Sequence, residues 1–81
     1  MTAKPTGYAA AINSPRELFE VLARREGGHQ RMVYEAQDGS YWVDYGGGRV
    51  PGSVLGAALT MNRLRPAFPD CIECKAWRLI A

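Results

Sequence analysis

The fold turns on RMVYEAQDGSYWVDY, residues 31–45. Its residues alternate on both sides of Asp38-Gly39, the dipeptide favoured in two-residue hairpin turns, so the stretch reads as two antiparallel strands. Pairing Gln37 with Ser40 puts Ala36 opposite Tyr41, Tyr34 opposite Val43 and Met32 opposite Tyr45. That apolar and aromatic face is expected to be core, because a register in a half-buried hairpin is set by its apolar side. The other face then pairs Glu35 with Trp42 and Val33 with Asp44, which leaves Trp42 as a large aromatic on a mixed surface.

Upstream, Ser14-Pro15-Arg16-Glu17 combines a hydroxyl cap, a proline at the first helical position and a glutamate able to reach back to the cap. Leu18, Phe19, Leu22 and Ala23 follow at helical spacing, so the pattern predicts an amphipathic helix from about 15 to 26. Arg24 and Arg25 fall in its last turn, where cations complement the helix dipole, and Gly27-Gly28 ends it. Downstream, Gly46-Gly47-Gly48 breaks the strand, and Val54, Leu55, Ala58, Leu59, Met61 and Leu64 predict a second helix that stops near Arg65, before Pro66. Its other side is a strip of small residues, Gly52, Ser53, Gly56, Ala57 and Thr60, where Gly56 suggests close approach by another backbone. Ala76-Trp77-Arg78-Leu79-Ile80 alternates as a closing strand.

The expected fold class is therefore α+β: a small two-layer domain in the order helix, hairpin, helix, strand, with an antiparallel sheet. Residues 1–7 read as a flexible N-terminal arm and 8–81 as one domain, with residues 8–12 either a strand or a lead-in. An 81-residue chain has room for one core. Hydrophobic residues at 47% and charged residues at 22% indicate an ordinary globular domain, not a disordered or fibrous one. No apolar run reaches the roughly 18 residues of a membrane span, and Met1-Thr2-Ala3-Lys4-Pro5 lacks a signal-peptide core, so the expected compartment is cytoplasmic.

Val50-Pro51-Gly52-Ser53-Val54-Leu55-Gly56-Ala57-Ala58-Leu59, then Leu64-Arg65-Pro66 and Trp77-Arg78-Leu79, resembles small winged-helix-like proteins of phages and mobile elements. In those a leading helix, a hairpin, a second helix and a closing strand recur, and the resemblance runs over residues 16–80. It is a hydrophobic pattern and brings no catalytic residue with it. The helix in the recognition position offers Gly52, Ser53, Gly56 and Ala57 where base-reading Arg, Asn or Gln would stand.

No enzymatic constellation is visible. His29 is the single histidine, and no nucleophile motif surrounds Ser14, Ser40 or Ser53. Gly46-Gly47-Gly48-Arg49 before a helix could cradle an anion but lacks the Lys-Ser/Thr of a nucleotide loop. Cys71-Ile72-Glu73-Cys74 is expected to be reduced or metal-bound, and two copies across a homodimer would give zinc four sulfurs.

The leading expectation is a non-enzymatic binding module that acts on a protein partner, as a phage or mobile-element accessory protein such as an anti-CRISPR-like inhibitor would. Candidate contact residues are Trp42 and Glu35 on the hairpin with Arg24, Arg25, Arg31, Arg49, Arg63 and Arg65. The alternatives are a DNA- or RNA-binding regulator using the arginines and a zinc module using Cys71 and Cys74. The formal net charge of +2 does not choose among them.

Overall fold

A computed structural model describes residues 11–25 and 27–80, so the N-terminal arm assigned to residues 1–7 lies outside the described residues. The elements are α1 (Pro15–Ala23), β1 (Val33–Glu35), β2 (Tyr41–Val43), β3 (Gly48–Val50), α2 (Gly52–Leu59), β4 (Leu64–Pro66) and β5 (Ala76–Leu79). All strand pairs are antiparallel, in the spatial order β3-β2-β1-β5-β4. The α+β class is as the sequence predicts, and two strands, β3 and β4, extend the expected order.

The capping box forms with a small change. Ser14 Oγ accepts from the Glu17 N–H at 3.1 Å, while the Glu17 carboxylate accepts at 2.6 Å from the Asn13 N–H, one residue before the cap. Helix α1 stops at Ala23, short of the expected residue 26, and Arg24 is already extended. No apolar residue after Leu22 and Ala23 remains to be seated on the core, and packing supplies most of a short helix's stability. Arg24 and Arg25 therefore follow the helix instead of filling its last turn.

Helix α2 also ends early, at Leu59 and not near Arg65. Thr60 Oγ1 donates to the Ala57 carbonyl at 2.7 Å, and Asn62 turns the chain at φ 59°, a left-handed conformation that asparagine tolerates. Leu64 is thereby released into β4, where it pairs with Leu79. Pro66 is acceptable there because β4 is an edge strand. The small residues Gly52, Ser53, Gly56, Ala57 and Thr60 all face outward, and nothing lies within 4 Å of a Cβ built on Gly56. The expected close approach there does not occur.

The hairpin register is shifted by one residue from the expected one. The Gly39 N–H bonds the Ala36 carbonyl at 3.0 Å and the Ala36 N–H bonds the Ser40 carbonyl at 2.7 Å, so the loop has three residues, Gln37, Asp38 and Gly39. Gly39 at φ 87° supplies the left-handed third position of that loop. Val33 consequently pairs with Val43, Tyr34 with Trp42 and Glu35 with Tyr41. Even-numbered residues pair with even ones, and the inside of the hairpin becomes the valine side.

Leu18, Phe19 and Leu22 of α1, Val54, Leu55 and Ala58 of α2, and Val33, Val43 and Val50 of the sheet form one buried core with Ile12. Tyr41, Leu64, Trp77 and Leu79 pack against it from the same side of the sheet. Both helices thus cover one face. The turn into β3 fits closely underneath: a Cβ on Gly47 would lie 2.7 Å from the Val43 Cβ and 3.2 Å from the Val21 Cγ1. The glycine triplet, read from sequence as a loop leading into a helix, is instead the turn between β2 and β3, with Gly48 and Arg49 already in the strand.

Candidate functional site

The register decides what the second face of the sheet displays. From one edge to the other it carries Arg49 on β3, Trp42 on β2, Tyr34 on β1, Ala76 and Arg78 on β5, and Arg65 on β4. Trp42 lies between Tyr34 and Arg49 in the ladder, and Arg65 pairs directly with Arg78. None of these six strand residues is acidic. Tyr34 is 38% exposed, Arg49 and Arg65 are exposed, Trp42 and Arg78 are half-buried, and Ala76 is buried between its larger neighbours.

A hydrogen-bonded chain orients the tryptophan. Trp42 Nε1 donates at 2.7 Å to Ser40 Oγ, which donates at 2.6 Å to Asp38 Oδ1. The Ser40 N–H also donates to Asp38 Oδ1, at 3.0 Å. These bonds from Ser40, side chain first and then backbone, hold the Asp38 carboxyl below its ordinary value of 3.8, with the Arg49 charge adding to the effect. The three-residue turn that sets the register therefore also positions the indole.

At the opposite edge Arg65, Pro66, Pro69 and Arg78 line a cleft of about 240 Å³. The Arg78 Nε is buried and makes no hydrogen bond among the described residues. Two prolines and two cross-strand arginines make a cleft whose chemistry suits an oxyanion, since an arginine fork matches carboxylate and phosphate oxygens.

The residues singled out from sequence divide. Trp42, Arg49 and Arg65 lie on this face. Glu35 does not: it pairs with Tyr41 and stands on the same side of β1 as Val33, away from Trp42. Trp77 is on the helix side, its ring 6.2 Å from that of Tyr41. Arg24 caps the end of α1, Arg25 Nη1 donates to the Gly28 carbonyl at 3.2 Å, and Arg31 Nη2 donates to the Tyr45 carbonyl at 3.4 Å. The Arg63 guanidinium sits 4.7 Å over the Phe19 ring. Of the arginines singled out from sequence, Arg49 and Arg65 are carried by strands on the face opposite the helices.

Cys71 and Cys74 are joined in a disulfide, Cα to Cα 5.3 Å, which corrects the expectation of reduced or metal-bound thiols. The turn that brings them together is closed by the Cys74 N–H on the Cys71 carbonyl at 3.2 Å. Among the described residues no three His, Cys, Asp or Glu side chains lie close enough to hold a metal ion. His29 is exposed and stacks on Tyr45 with ring centroids 6.2 Å apart. No described helix is long and apolar enough to cross a membrane.

Two members of the face, Tyr34 and Arg78, escaped the sequence reading. Arg78 was within reach, because it stands between Trp77 and Leu79 in an alternating strand whose apolar positions point inward. Tyr34 was hidden by the shifted register. No family model matches this chain, and neither a curated protein nor a solved structure is significantly similar to it.

Proposed function

We propose that this chain is a non-enzymatic binding module that takes an anionic partner on the sheet face opposite its two helices. The observation that carries the reading is the makeup of that face: Tyr34 and Trp42 adjoin at its centre, with Arg49 at one edge and the Arg65–Arg78 pair at the other. Aromatic rings supply contact area at low entropic cost, and arginines supply charge with defined geometry. The test is retention on immobilised heparin, a polyanion. The protein should be retained at low salt, and the charge reversals Arg65→Glu and Arg78→Glu should release it earlier. Arg16→Glu, on the exposed side of α1, should change retention far less.

A second reading takes a protein as the partner. Trp, Tyr and Arg are the residues most enriched at the centres of protein interfaces, and all three meet here. Together with the resemblance to small winged-helix-like phage proteins, this supports an accessory protein of the anti-CRISPR-like inhibitor type. Binding to an acidic polypeptide with the same dependence on Arg65 and Arg78 would favour it.

A further inference from the structure

Resting on the binding-face reading above, we infer that the Arg65–Arg78 corner of the sheet takes an extended phosphopeptide. The peptide adds as an antiparallel strand beside β4, and its phosphoserine or phosphothreonine lies over the two guanidinium groups. Edge strand β4 supplies the main-chain half of this site. Its bonds to β5 run through alternate residues: the Ile80 N–H donates to the Arg63 carbonyl and the Ala67 N–H to the Ala76 carbonyl, each at 2.9 Å, with Arg65 opposite Arg78 between them. Antiparallel ladders alternate bonded and non-bonded pairs, so the main-chain groups of Leu64 and Pro66 point away from β5. β4 ends the sheet, and among the described residues nothing bonds to the Leu64 N–H, the Leu64 carbonyl or the Pro66 carbonyl. An added strand gains two bonds at Leu64 and one at Pro66, which has no N–H.

Side chains supply the other half. Arg65 stands beside Arg78 on the face opposite the helices, in a cleft of about 240 Å³ with Pro66 and Pro69. A residue of the added strand that faces Arg65 puts its side chain on that same face, with Cβ atoms about 5 Å apart, within reach of an arginine. Two guanidinium charges match a phosphomonoester, which carries about −1.5 to −2 at pH 7, whereas one carboxylate leaves a cation unmatched. The Arg78 Nε is buried without a hydrogen bond among the described residues, and an oxyanion seated against this guanidinium supplies an acceptor. Asp70 and Glu73, in the loop after β4, are exposed and do not line the cleft. The corner is self-contained, because β1 and β2 separate β5 from β3, where Ala11 adjoins Arg49. A second copy of this chain is a poor occupant, since pairing two β4 strands about Arg65 sets arginine against arginine.

The test uses the full chain and a labelled nine-residue peptide of alternating valine and threonine with one central phosphoserine, followed by fluorescence anisotropy. This peptide should bind at least about tenfold more tightly than its unphosphorylated form, the scale of a charge-assisted contact, and more tightly than its glutamate counterpart. Arg65→Gln with Arg78→Gln should bring it down to the unphosphorylated level, and Arg16→Gln should leave it within about twofold. N-methylation of the two residues flanking the phosphoserine removes the amides that meet Leu64 and Pro66, and should weaken binding to the unaltered protein by roughly tenfold. Circular dichroism on each variant separates lost binding from lost folding.

Three results would overturn the inference. The first is equal binding of the phosphoserine and glutamate peptides, which points to a carboxylate. The second is equal binding of the N-methylated peptide, which removes strand addition. The third is a ten-residue oligothymidine that binds more tightly than the phosphopeptide with the same dependence on Arg65 and Arg78, which points to a nucleic acid. In any of these cases heparin retention that still depends on Arg65 and Arg78 preserves the binding-face reading, whereas retention indifferent to them defeats both.

Discussion

The two faces of the sheet are built from residues one position apart, and they share almost nothing. Val33, Val43 and Val50 are buried at 0%, 2% and 1% exposure beneath α1 and α2. Their neighbours Tyr34, Trp42 and Arg49 stand on the side that neither helix covers. The pleat sends successive side chains to opposite faces, so a sheet covered on one side must commit each strand to one parity. At the three most buried positions the covered parity took compact valines, with the rings of Tyr41 and Trp77 packed beside them, and the other parity took Tyr34, Trp42 and cations. The proposed binding residues stand on the face opposite this core.

The largest expected effect is a direct break of that contrast. Val33→Asp buries a carboxylate in an apolar core, at a cost of several kcal/mol against a total stability expected near 5–15 kcal/mol, and should leave the chain largely unfolded by circular dichroism. Tyr34→Asp, one residue along, should cost about 1 kcal/mol or less in a urea titration. If both variants fold equally well, the assignment of core and open faces is wrong.

Two glycines extend the comparison to the helix layer. Gly47→Ala forces a methyl group against Val43 and Val21 and should destabilise by roughly 1–3 kcal/mol. Gly56→Ala, on the outward side of α2 with open space around it, should stabilise by about 0.5–1 kcal/mol by limiting the unfolded chain. Opposite signs of shift in melting temperature check both at once.

The disulfide lies outside this layered core, in the loop between β4 and β5. Closing so short a ring removes little unfolded-state entropy, so its reduction should cost about 2 kcal/mol or less. The double variant Cys71→Ser, Cys74→Ser should fold, with faster amide exchange confined to the β4–β5 loop. Collapse of the whole domain on reduction would show that this loop, and not the valine layer, holds the sheet together.

The smallest effect belongs to Asp38. Because its folded-state value is lowered, its contribution is fully present above its ordinary 3.8 and is lost as pH falls through the lower folded value. Acidification through that range should loosen the bond from Trp42 through Ser40 and shift the Trp42 fluorescence in a Trp77→Phe background. Asp38→Asn should remove the acid step, and a step that persists in that variant would assign it to another group.

Much of the helical layer was legible in sequence, since a proline-led capping box and a spaced apolar stripe are local signals. The alternation in residues 31–45 and 76–80 likewise marked antiparallel strands. The proposed binding face was only half legible. Trp42, Arg49 and Arg65 stood out by type, but Asp38-Gly39 supports either a two- or a three-residue turn, and the choice moves Tyr34 from core to surface. Strands β3 and β4 were masked by the glycines before one and the helix-compatible residues before the other, and each exists because a neighbouring strand offers it a ladder of hydrogen bonds.

What the sequence by itself determined is the class of the domain, the start of α1 and the presence of a hairpin, because caps, helical stripes and period-two alternation act over a few residues. Only the tertiary structure decided which side of the hairpin faces the helices. Packing of Val33, Val43 and Val50 under both helices selects the three-residue loop, and that single residue of register is what puts Tyr34, Trp42 and Arg49 together on the face opposite the helices.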